Sequence, residues 1–92
     1  MDAIRIMEKQ SGFMRLLVYL YDNGEKTVTE ILNDTEIPVH QLYSSIEKAK
    51  ELGLAESRID NSKYPPRNLI YLTDKGKEVA MKIKEIIMLM NN

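Results

Sequence analysis

The apolar pattern of this chain changes its period at Gly53, and this change limits the possible folds more than any other feature. Before Gly53 the apolar residues recur at helical spacing, which predicts helices. After it they alternate with polar residues, which predicts a strand over residues 54–59, a turn over 60–67 and a returning strand over 69–72. Helical spacing returns from Thr73 onward. The sequence therefore predicts three helices, a hairpin and a final helix, in that order.

Local signals place the ends of the predicted helices. The first helix covers residues 11–22, and Gly24 ends it by supplying the positive φ of a helix stop. Thr27 and Glu30 have the spacing of a capping box, which predicts that the second helix begins there. Pro38 suits the first turn of the third helix. The residues predicted to face the core are Phe13, Leu16, Leu17, Leu20, Val28, Ile31, Leu32, Val39, Leu42, Ile46 and Ala49.

Composition excludes several classes of site. With 92 residues, the chain has room for one domain. Cysteine is absent, which excludes disulfides, thiolate metal ligands and a cysteine nucleophile, and His40 is the single histidine. The four glycines are scattered and form no phosphate-binding loop. We therefore expect no catalytic residues, no metal and no cofactor, and we do not expect an enzyme.

The distribution of apolar and charged residues predicts a soluble, cytoplasmic protein. The longest apolar run, residues 86–90, is far too short to cross a bilayer. Residues 1–10 mix charged and apolar side chains, unlike a signal peptide. The net charge is −1, but residues 38–92 carry nine Lys and Arg against seven Asp and Glu. Any surface that binds a polyanion is therefore expected to be local and to lie in this part.

Two short helices followed at once by a hairpin predict a winged helix-turn-helix. The stretch LYSSIEKAKELGLAES, residues 42–57, resembles the recognition helix and first wing strand of MarR-type and HxlR-type bacterial and archaeal regulators. PPRNLIYLTDKGKEVA, residues 65–80, is similar to their wing return, especially the HxlR-type Pro-Pro-Arg followed by Leu-Thr-x-x-Gly. The Asp-Arg pair common in MarR-type wings is missing, and so is the N-terminal cysteine typical of HxlR-type proteins.

The resemblance implies an α+β, mostly α fold with a three-helix core, a β-hairpin wing and a C-terminal dimerisation helix. The expected division of the single domain 1–92 is an N-terminal segment 1–10, a winged-helix core 11–73 and a dimerisation helix 74–92. The resemblance also implies a homodimeric, DNA-binding transcription regulator. Without the cysteine it implies no redox sensing, and no small-molecule effector can be argued from the sequence.

The candidate DNA-binding residues lie on two elements. The recognition helix, residues 38–52, is expected in the major groove of double-stranded DNA, and the wing, residues 58–68, on the minor groove or backbone. Gln41 can pair with adenine and Ser44 with several bases. The alternatives are an ordinary solvated helix face and a solvated turn. The candidates are His40, Gln41, Tyr43, Ser44, Lys48, Arg58, Lys63, Tyr64 and Arg67.

Two glutamates on the recognition helix keep a second function open. Glu47 and Glu51 would repel phosphates, so at least one is expected to pair locally, for instance Glu47 with Lys48 or Lys50. These carboxylates and the near-neutral charge fit a winged-helix protein–protein interaction module of transcription or chromosome machinery. A positive stripe through Lys48, Lys63 and Arg67 would instead favour DNA.

The final helix carries an apolar seam that predicts assembly. Its spacing is that of a helix–helix contact, and its last turns are apolar nearly all round. We therefore expect a two-fold homodimer, with the helix folding back on its own core as the alternative. Gly76 is expected to allow close packing where this helix starts, and a further short helix is indicated within residues 2–10. The candidate dimer residues are Val79, Ile83, Ile86, Ile87 and Met90.

Overall fold

The structure, a computed structural model, describes residues 2–92. Its elements in chain order are α1 (Ala3–Lys9), α2 (Phe13–Asn23), β1 (Lys26–Thr27), α3 (Val28–Thr35), α4 (Val39–Glu51), β2 (Ala55–Asp60), β3 (Arg67–Leu72) and α5 (Asp74–Met90). The three strands form one antiparallel sheet in the order β1-β3-β2. Helices α2, α3 and α4 are the predicted three-helix core, and β2 with β3 is the wing. The predicted mostly helical α+β winged-helix fold is therefore confirmed.

Side-chain caps determine where three of the helices begin. The Thr27 hydroxyl accepts a hydrogen bond from the Glu30 amide at 3.2 Å, and the Glu30 carboxylate accepts one from the Thr27 amide at 3.0 Å. This capping box confirms the predicted start of α3. At α5 the Thr73 hydroxyl accepts from the Gly76 amide at 3.0 Å. Helix α1, indicated by the sequence, is also present and is capped by Asp2.

One hydrophobic core fills the space between the helices and the sheet. Helix α2 is central to it, because it contacts α3, α4, α5 and β3. The predicted apolar faces of α2 and α3 point into this core, and the first half of α5 covers it. Its buried residues are Phe13, Leu16, Leu17, Leu20, Ile31, Ile37, Leu42, Ile46, Ala49, Leu54, Ala55, Ile70, Leu72, Ala80 and Ile83.

The buried face of α4 differs from the predicted one at two positions. Val39 was predicted to face the core, and this was wrong: the side chain is 54% exposed. The reason is that Ile37, in the turn before α4, is buried at this end of the helix instead. Ser45 is fully buried instead. Its hydroxyl donates to the Ser11 carbonyl at 3.0 Å and accepts from the Gln10 side-chain amide at 3.4 Å. These bonds hold the turn between α1 and α2 against the recognition helix.

The sequence did not predict β1, which is two residues long. Lys26 pairs with Ile70, and this places β1 along one edge of β3. Strand β2 pairs with the other edge, where Arg58 lies opposite Leu69 and Asp60 opposite Arg67. Strand β3 is therefore central, and through it the wing is hydrogen-bonded to the segment that leads into α3.

Gly76 lies in close contact with the backbone where β3 gives way to α5. A Cβ atom at Gly76 would lie 1.9 Å from the Leu54 carbonyl oxygen. The same carbonyl accepts a hydrogen bond from the Thr73 amide at 3.0 Å. The Lys75 ammonium donates to the neighbouring Leu52 carbonyl at 3.2 Å. The close packing predicted at this corner is therefore confirmed.

Candidate nucleic-acid interface

The N-terminal half of α4 presents a mixed polar and aromatic surface. His40 and Tyr43 are exposed, Tyr43 to 56%, while Gln41 and Ser44 are half-buried. Val39, misassigned to the core, lies exposed beside His40. An apolar side chain in that place could contact a thymine methyl group in a major groove. One sequence signal could have corrected this prediction: Ile37, just ahead of Pro38, is also apolar and could take the place in the core that was assigned to Val39.

The C-terminal half of α4 carries charges that are partly balanced. The Lys48 ammonium lies 3.5 Å from the Glu51 carboxylate, so the expectation that one of the two glutamates pairs locally is confirmed. The prediction that Glu47 pairs with Lys48 or Lys50 was wrong. Glu47 is exposed and forms no salt bridge within residues 2–92. The Lys50 ammonium donates instead to the Ser57 hydroxyl on β2 at 2.8 Å, because the end of α4 lies beside that strand. Glu47 therefore remains an uncompensated negative charge on this face.

Both wing arginines pair with carboxylates of the same chain. The Arg58 Nε atom donates to Glu25 at 2.9 Å, and one of its terminal nitrogens donates to the other oxygen of the same carboxylate. Glu25 lies in the turn before β1, so this ion pair reaches across the central strand β3. The Arg67 guanidinium lies 3.4 Å from the Asp60 carboxylate. The arginine charges are therefore partly balanced before any ligand binds.

The wing tip carries a lysine and an aromatic ring. Lys63 is exposed and forms no salt bridge in the part of the chain that the structure describes. Tyr64 is 95% exposed. Pro65 and Pro66 follow, and each proline fixes its own φ. The tip therefore presents a free cation and a large side chain next to a stiffened backbone.

An open groove joins the wing to the recognition helix. Its volume is about 430 Å³, and both Tyr43 of α4 and Arg67 of β3 line it. The remaining lining residues, from the end of β1, the start of α3 and β3, are Thr27, Val28, Thr29 and Asn68. The structure thus brings together two candidate DNA-binding residues from different elements. The other candidates lie outside this groove, on the exposed part of α4 and along the wing.

Asp60 is held ionised by the turn that follows it. The Ser62 hydroxyl and amide donate to it at 2.6 and 3.0 Å, and together with Arg67 they lower its pKa to about 2. An ordinary aspartate has a pKa of about 3.9. Because the pKa is lower in the folded state, this turn stabilises the fold above about pH 4, and the contribution is lost as pH falls toward 2.

An NMR titration of the Asp60 carboxyl carbon is therefore expected to give a midpoint near 2. The Ser62→Ala variant, which removes the hydroxyl, should raise that midpoint toward the ordinary value. A midpoint of about 3.9 in the unmodified protein would contradict the hydrogen bonding of the turn.

The candidate dimer residues divide into two groups along α5. Ile83 is 5% exposed and Val79 is half-buried, and both pack against the core of their own chain. Ile86, Ile87 and Met90 are 56%, 43% and 77% exposed. The first half of α5 therefore folds back on its own core, and the accessible part of the seam begins at Ile86.

An apolar groove lies beside the accessible part of the seam. Its volume is about 630 Å³, and α1, α2 and α5 supply most of its apolar lining, which includes Met7, Met14 and Val18. Tyr19 and Asp34 also line it, and the Tyr19 hydroxyl donates to Asp34 at 2.6 Å. Burial and this hydrogen bond raise the pKa of Tyr19 to about 12. We call the groove and the exposed end of α5 the terminal face.

Within residues 2–92, no three His, Asp or Glu side chains are grouped so that they could hold a metal ion. In the same residues, no helix has the length and apolar character needed to span a bilayer.

Several solved protein structures are similar to the structure of this chain. No protein-family model matches the sequence. No curated protein matches it either. The reduced form of the transcriptional regulator YodB from B. subtilis matches with a TM-score of 0.74 and 18% identity, over 94% of this chain and 82% of that one. AF1382 from Archaeoglobus fulgidus matches with a TM-score of 0.70 and 27% identity, over 96% and 98% of the two chains.

A third match was solved with nucleic acid. Streptococcus pneumoniae FabT, in complex with DNA, has a TM-score of 0.74 and 14% identity, over 87% of this chain and 55% of that one. The similarity to each of these three structures covers most of this chain. The chain therefore has the winged helix-turn-helix fold of the MarR-type and HxlR-type transcriptional regulators.

Proposed function

We propose that this protein is a sequence-specific, double-stranded DNA-binding transcription regulator that acts as a homodimer. The observation that carries the proposal is the groove that Tyr43 of the recognition helix and Arg67 of the wing both line. A helix in the major groove and a wing beside it need this adjacency, because the two elements must contact one stretch of duplex together. The likeness of the fold to FabT, which was solved with DNA, supports the same function.

In the proposed complex, residues 38–52 enter the major groove and residues 58–68 lie on the minor groove or backbone. The base-facing residues come from the exposed and half-buried positions of α4, and the cations come from Lys48 and the wing. Lys48 shares its charge with Glu51, so Lys63 is the strongest single candidate for a phosphate contact. The proposed DNA-binding residues on these two elements are His40, Gln41, Tyr43, Ser44, Lys48, Lys63, Tyr64 and Arg67.

The proposed homodimer forms through the terminal face. Ile86, Ile87 and Met90 would leave water when two copies pack together, and the neighbouring apolar groove offers each copy a complementary surface. A two-fold axis between the α5 helices would present two recognition helices to successive major grooves, about 34 Å apart. Operator half-sites would then be related by the same two-fold symmetry.

A second function, a protein–protein interaction module, is favoured by the charges on α4 and the wing. Glu47 is unpaired within residues 2–92, and both wing arginines already have carboxylate partners. A surface with this balance could suit a protein partner as well as DNA. The two functions differ in their response to salt. Phosphate contacts release condensed counterions, so binding to DNA falls steeply as salt rises. Protein contacts of mixed charge are only screened, and their dependence on salt is weaker.

Lys63→Ala is expected to weaken DNA binding several-fold at low salt. Because each subunit of the proposed dimer loses one phosphate contact, the slope of log affinity against log salt should also fall by about 1.8 per dimer, about 0.9 for each subunit. The measurement is an electrophoretic mobility shift with DNA selected from genomic fragments, repeated over a range of salt concentrations.

Lys77→Ala is the matched control for this experiment. Lys77 is also an exposed lysine without a salt bridge within residues 2–92, but it lies beyond the end of β3 away from the wing tip. Its replacement should leave the slope unchanged. If the unmodified protein binds no duplex at low salt, or binds with a flat salt response, the proposed regulator function is wrong.

A further inference from the structure

The ion pair between Glu25 and Arg58 is the most completely formed contact on the wing. Two nitrogens of the guanidinium donate to the two oxygens of one carboxylate, a bidentate geometry. The partners are 33 residues apart in the chain and on opposite sides of β3. Hydrogen bonding to Arg58 lowers the pKa of Glu25, so this carboxylate is ionised at neutral pH.

Arg67 has a looser contact with its carboxylate partner, Asp60. A single nitrogen lies 3.4 Å from Asp60, and Asp60 also accepts two shorter hydrogen bonds from Ser62. The Nε atom of Arg67 is buried without a hydrogen-bond partner within the described residues. The two wing arginines therefore differ: Arg67 keeps unused donor capacity, whereas Arg58 has committed two of its donors to Glu25.

We propose that Glu25 limits the affinity of this protein for DNA by holding Arg58 in a bidentate ion pair, away from phosphate. The inference rests on the proposed DNA-binding function. A phosphate that approaches Arg58 must displace a carboxylate that already has the matching geometry, so the exchange gains little. If Glu25 stays in place, its charge repels the same phosphate.

The position of Glu25 in the chain makes it an effective competitor. It immediately precedes Lys26, which is fixed by its pairing with Ile70 of β3. The carboxylate is therefore presented to Arg58 from an anchored backbone, and little conformational entropy is lost when the pair forms. Glu25→Gln keeps the size of the side chain and one acceptor oxygen but removes the charge.

The experiment measures binding of a fluorescein-labelled, random-sequence DNA duplex by anisotropy over a range of salt. A random sequence is suitable because phosphate contacts dominate such binding. Glu25→Gln should bind several-fold more tightly at low salt, with a slope steeper by about 1.8 for the proposed dimer, because Arg58 of each subunit is freed to contact one phosphate. In an Arg58→Gln background the same change should leave the slope where it was.

Glu85→Gln is the matched control. Glu85 is also an exposed glutamate in an ion pair, with Lys82 at 3.7 Å, but it lies near the far end of α5. Its replacement removes the same charge from the protein as a whole, and it should bind the duplex as the unmodified protein does. Circular dichroism melts check that each variant is folded, and Arg58→Met, which also removes the positive charge, replaces Arg58→Gln if that variant is not.

Several outcomes would overturn the inference. If Glu25→Gln binds as the unmodified protein does, Glu25 does not limit affinity. Weaker binding by Glu25→Gln would mean that the ion pair holds the wing in a DNA-binding position. An equal gain in slope with and without Arg58 would assign the effect to general charge. If the unmodified protein and every variant fail to bind duplex at low salt, the DNA-binding proposal fails together with this one.

Discussion

Gly76→Ala is expected to lower the free energy of unfolding by about 3 kcal/mol or more, the upper range for overpacking a tight site. The new methyl carbon would lie 1.9 Å from the Leu54 carbonyl oxygen, far closer than a carbon and an oxygen that are not bonded to each other can approach. The obstacle is backbone, so rotation of a side chain cannot relieve it. Movement of the Leu54 carbonyl would also disturb its hydrogen bond from the Thr73 amide. Urea denaturation followed by circular dichroism measures the loss.

Gly53→Ala provides the comparison. Gly53 has a φ of +74° just after α4, but no atom lies within 4 Å of the place where its Cβ would be. Its replacement should cost only the strain of a left-handed backbone, about 1–2 kcal/mol. Since small domains are stable by about 5–15 kcal/mol, the Gly76 variant should be much less stable and could be unfolded at 37 °C. Equal stability of the two variants would contradict the close packing at the start of α5.

Ile86→Glu is expected to convert the proposed homodimer to a monomer and to weaken operator binding by about 100-fold. The side chain is 56% exposed, so a glutamate can be solvated in the monomer but would bury a charge in the dimer. The loss in affinity follows because two linked half-site contacts exceed one by about 10²–10⁴. Size-exclusion chromatography with light scattering measures the mass, and a mobility shift with selected DNA measures the affinity.

Met81→Glu tests the opposite side of the same helix. Met81 is 39% exposed, and its position on a helical wheel is opposite to that of the seam. This variant should remain dimeric and bind DNA normally. Circular dichroism should show the same helix content for both variants, since neither residue is in the buried core. A monomeric unmodified protein at micromolar concentration, or a dimeric Ile86→Glu variant, would rule out the terminal face as the dimer interface.

The features that could be predicted from the sequence are those set by residues close together in the chain. The capping box of Thr27 and Glu30 needs a spacing of three residues and nothing else. The hairpin follows from alternation on both sides of a proline-containing turn, and the buried faces of α2 and α3 follow from helical spacing. Since the helices, the wing and their order are all local properties, the fold class could be predicted before the structure was known.

The features that could not be predicted depend on which distant segments meet. Strand β1 is too short to show alternation, and only its pairing with β3 makes it a strand. Helical spacing alone could not decide between Ile37 and Val39 for one place in the core, because the turn ahead of α4 determines which enters. The ion pair of Glu25 with Arg58 depends on the order of the strands in the sheet. The sequence could therefore predict which residues to consider for the candidate site, but not that its arginine charges pair with carboxylates of the same chain.

The short strand β1 also influences the order in which the sheet can form. Strands β2 and β3 are joined by a six-residue turn, 61–66, whereas α3, α4 and β2 all lie between β1 and β3. Closing a longer loop costs more chain entropy, and hairpins form within microseconds. The hairpin is therefore expected to form early and β1 to join it last. In the native protein the same two-residue edge should be the first part of the sheet to open, and each opening would release Arg58 without disturbing the core.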